Sequence, residues 1–294
     1  MPVTAEELID ALRAARAETA RLVSAMDPAR LGAPSPWRGA MPPIGFLVGW
    51  LAEADETRRV RIESDFVSSG TVKLSVAQRA LVAGAPDFGR LLGTFAGVTP
   101  ELFDRQPAPG EWGMREALAH VIAVDKRYLI AIEHAVVRRN QGDEGPLRPP
   151  ADSLPPNSGE TERHGTMTEM LARLVATHDQ IVRRVGPVGD SYLDAPTEWV
   201  SLDVDVRFRI HRFAAHDREH TAHIRKIQQQ LGWQQNEPQL LLADAHGARA
   251  ALETLLTFTA NGLSEDGATT GSRTVAELVR QALDDEAQLQ AALS

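Results

Sequence analysis

The chain has 294 residues, enough for one large domain or two of ordinary size, with 43% hydrophobic and 5% aromatic residues. A formal charge of -9 argues against broad binding to a nucleic-acid backbone, and the lack of any cysteine excludes disulfides, thiolate metal ligands and a cysteine nucleophile. Whatever chemistry occurs must use nitrogen and oxygen groups. The abundance of Ala, Leu, Arg and Glu favours helices. Apolar runs fall short of membrane-spanning length and the first residues lack signal-peptide character, so a cytoplasmic protein with no membrane and no nucleic-acid partner is expected.

In chain order, "AEELIDALRAARAETARLVSAM" repeats apolar residues at helical spacing (Leu8, Leu12, Ala15, Leu22, Met26), interrupted at Thr19, with Thr4 placed as N-cap ahead of Glu7. The Pro/Gly-rich "LGAPSPWRGAMPP" separates it from a second helix, "IGFLVGWLAEADETRRVRIESD", and Gly70 within "SSGT" marks the next break. "VAQRALVAGAPDFGRLLGTFAGV" reads as helical with a break between Gly84 and Pro86, and "QPAPGEWG" leads into the helix "MREALAHVIAVDKRYLIAIEHAVVRR". From Asn140 to Gly165 the prolines rule out regular structure and fit a long, exposed and partly mobile crossover. Helical spacing resumes in "MTEMLARLVATHDQIVRRV". "SLDVDVRFRI" alternates like a strand, but without an apparent partner it is assigned to a helix capped at Asp203 or Asp205 and running to about Gln230. The arginines of "RRVRIE" and "VRFRIHR" are expected on solvated helix faces. The tail holds the helix "PQLLLADAHGARAALETLLTFTANGL", the loop "SEDGATTGSR", and a last helix opened by a capping box from Thr274 to Glu277.

Three helices can be superimposed: "FLVGWLAEAD" (46–55), "EALAHVIAVD" (116–125) and "ELVRQALDDE" (277–286). Each ends on an acid, Asp55, Asp125 or Glu286, and the fifth place holds Trp50, His120 or Gln281. If a helical hairpin was duplicated, only the central copy offers a metal ligand there. The organisation expected is a hairpin at 1–70, a central bundle at 71–235 and a hairpin at 236–294. The outer hairpins either pack together as a second, metal-free bundle or each pack on the centre.

Three of the nine histidines fall in "HDREHTAHI": His216, His220 and His223. At ~100° per residue they share one helical stripe, and an i, i+4 pair can place two imidazole nitrogens on one ion. An exposed polar stripe is the plain alternative. "HDREH" differs from the zinc-peptidase pattern H-E-x-x-H by carrying Asp217, one methylene short, where the general base belongs, and Glu219 points ~100° from His220. A third ligand should come from another helix, and His120, amid "LAHVIAV", is the best candidate because an unpartnered imidazole there is costly.

"APGEWGMREALAHVIAVDKRYL" followed by "FRIHRFAAHDREHTAHIRKI" resembles the DinB-like superfamily, which includes DinB proteins and thiol-dependent S-transferases and isomerases. The resemblance covers about residues 76–233. It rests on Trp112 before a helix bearing His120, and on His216 and His220 as H-x-x-x-H. It implies an all-α, four-helix bundle with a long crossover and a divalent ion, zinc or nickel, held by His120, His216 and His220. His223 stands where the family often has Gln, which leaves it a fourth ligand, a hydrogen-bonding neighbour of the ligands or a pocket residue.

Three neutral imidazoles leave an ion doubly positive with a position free for water or substrate, a catalytic rather than a closed arrangement. The resemblance implies a low-molecular-weight thiol as cosubstrate attacking a small electrophile, or hydroxide in the same place in a hydrolase. Asp125, Asp217 and Glu219 are candidates to fix a ring tautomer, or else surface charges. Arg209 and Arg212, near the His216 stripe, either meet an anionic thiol or substrate or lie on the surface. A non-catalytic module binding a metal or small ligand in a stress response is the alternative, because no general base is identifiable. A homodimer is compatible with everything above.

Overall fold

The computed structural model describes residues 5–68, 70, 72–259 and 275–294. It is all-α apart from one two-stranded ribbon. The proposed caps Thr4 and Thr274 and the loop "SEDGATTGSR" lie outside the described residues. The chain divides into two compact units, Met1–Lys73 with Phe88–Gly97 and Gln235–Ser294, and Leu74–Asp87 with Val98–Gln234.

In the first unit, α1 (Ala5–Ser24) and α2 (Ile44–Ile62) pack on two C-terminal helices, Glu237–Thr259 and Val275–Leu293, which are α8 and α9 below. Val23, Met26, Leu47, Val48, Leu51, Leu242 and Leu289 form a shared apolar core, each fully buried side chain of this size contributing ~1.5–3 kcal/mol. The interruption of the α1 stripe at Thr19 has a physical reason. Arg16 and Thr19 are buried and face a charged cluster: Arg16 bonds Glu286 at 2.7 Å and Asp55 at 3.0 Å, Arg249 bonds Asp55 at 2.8 Å and Glu286 at 3.0 Å, and the Thr19 hydroxyl donates to Glu286. Opposed guanidinium groups offset the desolvation of both carboxylates and hold Asp55 below the usual carboxylate range despite its burial. The three acids aligned in the sequence, Asp55, Asp125 and Glu286, are all buried.

The second unit contains the first half of α3 (Val76–Gly93), the short α4 (Pro100–Phe103), α5 (Met114–Asn140), α6 (Met167–Val185) and α7 (Val206–Gln230). Helix α5 packs on both α6 and α7, and α3 meets α7 where Gly84 lets the Ala214 methyl approach. Leu118, Ile122, Ile132, Met170, Leu174 and Ile224 are fully buried between the helices. The break expected at Gly84–Pro86 does not occur: α3 runs through Pro86 without interruption. Proline removes one N–H and one backbone hydrogen bond, which a helix packed on its neighbour tolerates.

The segment at 201–210 departs from expectation in a second way. Pro196–Trp199 (β1) pairs antiparallel with Leu202–Asp205 (β2), so the alternating residues begin as a strand and turn helical only at Val206, where Asp205 caps α7 by accepting from the Phe208 N–H at 2.7 Å. The partner strand was hidden because it holds only four residues and contains a proline. The turn itself, Val200 and Ser201, lacks glycine and asparagine although both residues have positive φ, 48° and 63°.

The crossover from 141 to 165 is not a free strap. It contains two short 3-10 turns, Ala151–Ser153 and Glu160–Glu162, and is bonded along α5: Arg127 donates to the Pro155 carbonyl at 2.6 Å, Lys126 pairs with buried Glu162 at 2.6 Å, and Arg115 donates to the carbonyls of Arg163 and Gly165 at 2.7 Å. Gly159, at φ 71°, lies so close to α5 that a Cβ would stand 2.5 Å from the Ala119 oxygen and the His120 nitrogen. Only glycine fits that approach.

Candidate metal centre

His120 projects from the second turn of α5, and His216 and His220 project from successive turns of α7. Where the two helices pack, each of the three rings offers one nitrogen within 4.8 Å of the other two. The ring centroids are 4.5 Å apart for His216 and His220, 4.9 Å for His120 and His220, and 5.4 Å for His120 and His216. His223 does not join this group. Its ring lies 5.7 Å from His220 and 6.1 Å from Trp112, which places it beside the cluster. Trp112, one residue before Gly113 at the α5 N-cap, lies 5.1 Å from His120.

Tautomers follow from the neighbours. The Asn157 carbonyl lies 2.6 Å from His120 Nδ1, and a carbonyl only accepts, so that nitrogen carries the hydrogen and Nε2 keeps its lone pair. The acceptor sits on the crossover two residues before Gly159, so the close approach of Gly159 to α5 also positions the bond that sets this ring. His216 Nδ1 stands 3.5 Å from Asp125 Oδ1, a close approach in which neither atom has a hydrogen-bond partner. His220 Nδ1 is buried with no protein partner.

Burial lowers the pKa of all three rings: His216 to about 4 and His220, further disfavoured by its neighbouring imidazoles, to about 2, while at His120 the Asn157 carbonyl partly opposes the desolvation. At neutral pH the site is therefore three uncharged imidazoles with converging lone pairs. Such a donor set suits a borderline divalent cation, and a bound cation would resolve the cost of packing these dipoles together.

The carboxylates separate into distinct roles. Asp125 faces His216. Asp217, displaced around α7, instead lines a small hollow with Asp125, Gly84 and Ile210. Burial and the charge of Asp125 push its carboxyl well above the ordinary range. It does not reach the histidine side, which removes the peptidase reading on geometric grounds. Glu219 forms a two-pronged pair with Arg212 at 2.8 and 2.6 Å.

His120, His216 and His220 open on a cavity of about 410 Å³ whose wall includes Val124, Arg127, Tyr128, Arg148, Glu198, Trp199, Arg209 and Arg212. Several of these escape a sequence reading: Arg148 sits in the proline-rich crossover, and Glu198 and Trp199 sit in the unrecognised β1. Arg209, expected on a solvated face, is 6% exposed. It stacks toward Tyr128, with 5.4 Å between guanidinium carbon and ring centre.

No helix among the described residues is long and apolar enough to cross a membrane. No similar curated protein and no similar solved structure was found. Residues 88–224, which include all three clustered histidines, match the family model described as the DinB superfamily.

Proposed function

We propose that this protein is a metal-dependent enzyme in which His120, His216 and His220 hold one divalent ion, zinc or nickel, to activate a low-molecular-weight thiol or water against a small electrophilic substrate. The observation that carries the reading is the meeting of three neutral imidazoles at the floor of a cavity of small-molecule size. When bound, such an ion acts as a Lewis acid, lowering the pKa of a thiol or water beside it and stabilising negative charge as it develops.

The chain's own residues supply the rest. The Asn157 carbonyl holds the His120 ring in the tautomer that leaves its Nε2 lone pair free, and Asp125 lies beside His216 Nδ1 at 3.5 Å, placed to orient that ring when an ion is bound. Trp112 covers one side of His120, and Tyr128 packs edge-on against His216 with 5.7 Å between ring centres, limiting water at the cluster. With no cysteine in the chain, a thiol nucleophile arrives as a cosubstrate.

A second reading, a non-catalytic metal- or ligand-binding module, is favoured by one feature: both carboxylates on the cavity wall are engaged, Glu219 by Arg212 and Glu198 by Arg148 at 2.6 Å. Neither is free to act as a general base. Bacillithiol, mycothiol and glutathione, offered with simple electrophiles to metal-loaded and chelator-treated protein, separate the two. The enzyme reading expects metal-dependent product with at least one thiol, or metal-dependent hydrolysis without any. A fully loaded protein inert in every combination belongs to the second reading.

A further inference from the structure

The wall of the cavity carries more positive charge than the fold requires. Arg127 on α5, Arg148 on the crossover and Arg209 on α7 all line the cavity, beside Trp199 and Val200. Arg148 pairs with Glu198. The hydrogen bonds of Arg127 and Arg209 go to backbone, Arg127 donating to the Pro155 carbonyl and Arg209 to the Glu198 carbonyl, and Arg209 also stacks toward the Tyr128 ring. Among the described residues no carboxylate lies in ion-pair range of either. Arg209 is the more telling of the two, because it is 94% buried by complement of its 6% exposure and its Nε has no partner. The fourth arginine, Arg212, is neutralised by Glu219. Three guanidinium groups thus face one carboxylate, Glu198, and the excess is positive.

Charges of one sign are rarely gathered in a recess unless something of the opposite sign completes them. Each of the three repels another across the cavity, and burial with that repulsion brings Arg209 down to about 10 and lowers Arg127. A planar guanidinium presents paired N–H donors that match an oxyanion. Surface basic patches offer no such convergence on a concave wall next to a cluster of metal-ligating side chains.

We infer that the cavity takes a small molecule bearing an oxyanion, a carboxylate or a phosphate, which Arg127, Arg148 and Arg209 bind while the rest of the molecule extends toward His120, His216 and His220. The inference rests on the reading of this cavity as a substrate site and names the class of substrate or cosubstrate it selects. Bound there, the anion compensates the unpaired charge of Arg209 and fixes one end of the molecule, so that its reactive atom is positioned by a two-point attachment.

Calorimetric titration tests this with three probes: succinate, inorganic phosphate and the uncharged succinamide. The titrations use chelator-treated protein, so that coordination to an ion contributes nothing, and metal content is measured separately. At least one anion is expected to bind where succinamide does not. Arg127→Gln and Arg148→Gln, at half-buried and exposed positions, with folding checked by helix content, are each expected to weaken it by about tenfold, the loss of one charge-assisted contact. Arg209→Gln should weaken it at least as much if that variant folds. Succinate binding alone assigns a carboxylate and phosphate binding alone a phosphate group. Equal binding of succinamide, no binding of either anion, or unchanged affinity in both Arg127→Gln and Arg148→Gln overturns the inference. A protein that binds anions in this arginine-dependent way yet takes up no metal would defeat the enzyme proposal while leaving the anion site standing. Stoichiometric metal without anion binding has the reverse meaning.

Discussion

The Asn157 carbonyl that sets the His120 tautomer cannot be removed by a side-chain substitution, but Gly159 two residues later controls its position. In Gly159→Ala the new Cβ would need to occupy space 2.5 Å from the Ala119 oxygen and the His120 nitrogen, both backbone atoms of α5 that cannot rotate away. The residue also holds φ 71°, which costs an L-residue roughly 1–2 kcal/mol before any clash. The crossover must therefore lift, and the 2.6 Å bond from His120 Nδ1 must lengthen or break. A total of about 2–4 kcal/mol of destabilisation follows, and loss of the group that orients a ligating imidazole weakens metal binding by about 10- to 100-fold. Gly232→Ala is the internal control: it shares the positive φ, 76°, but a Cβ there meets nothing within 4 Å, so it should cost only the conformational part and leave metal affinity alone. Denaturant unfolding and competition with a chelating dye read the two quantities. If Gly159→Ala behaves like Gly232→Ala in both, the close approach of the crossover does not set the site.

Burial pushes the Asp125 carboxyl well above the ordinary range, and Asp125→Asn retains the shape of the side chain facing His216 while replacing the carboxyl that a bound ion would draw into its charged form; metal affinity should fall by about tenfold or more with helix content unchanged, and an unaltered titration curve would deny Asp125 any orienting role. The imidazole resonances of metal-free protein should show His216 and His220 unprotonated down to pH 5, since their pKa values lie near 4 and 2; midpoints near 6.5 would contradict the burial argument. The sign for stability follows, because the unfolded ring takes up a proton from about pH 6.5 while folded His216 resists until about 4: this group favours the folded state at neutral pH, and that contribution, roughly 3 kcal/mol, is lost as pH falls through the window. Replacing Val200-Ser201 by Asn-Gly relieves two positive φ angles at the β1–β2 turn and should raise stability by about 1 kcal/mol; a loss in denaturant unfolding would indicate that the valine makes contacts worth more than its strain.

What could be read from the sequence tracks how local the determining physics is. Helical periodicity is local, so α1, α2, α5, α6 and the body of α7 emerge from it, and the i, i+4 spacing of His216 and His220 needs nothing beyond helical geometry. His120 could be singled out because an imidazole amid "LAHVIAV" demands a partner, and the structure brings it to the other two. Arg16, Thr19 and Arg249 were not legible as core residues, since their burial depends on Asp55 and Glu286 arriving from distant helices. The β1–β2 ribbon escaped notice because its turn residues, Val200 and Ser201, carry none of the usual chemistry for positive φ. That omission had a cost at the site: Glu198, Trp199 and the crossover residues Arg148 and Asn157 belong to segments without periodicity, and they form much of the wall and one hydrogen bond of the cluster. His223, equal to its neighbours by spacing, is set apart only by distance.

Elemental analysis of the protein purified under metal-replete conditions tests the central claim most directly. One zinc or nickel ion per chain is expected in the native protein, and its loss in folded His120→Ala and His216→Ala. A native protein without bound metal, or variants that retain it in full, would contradict the account.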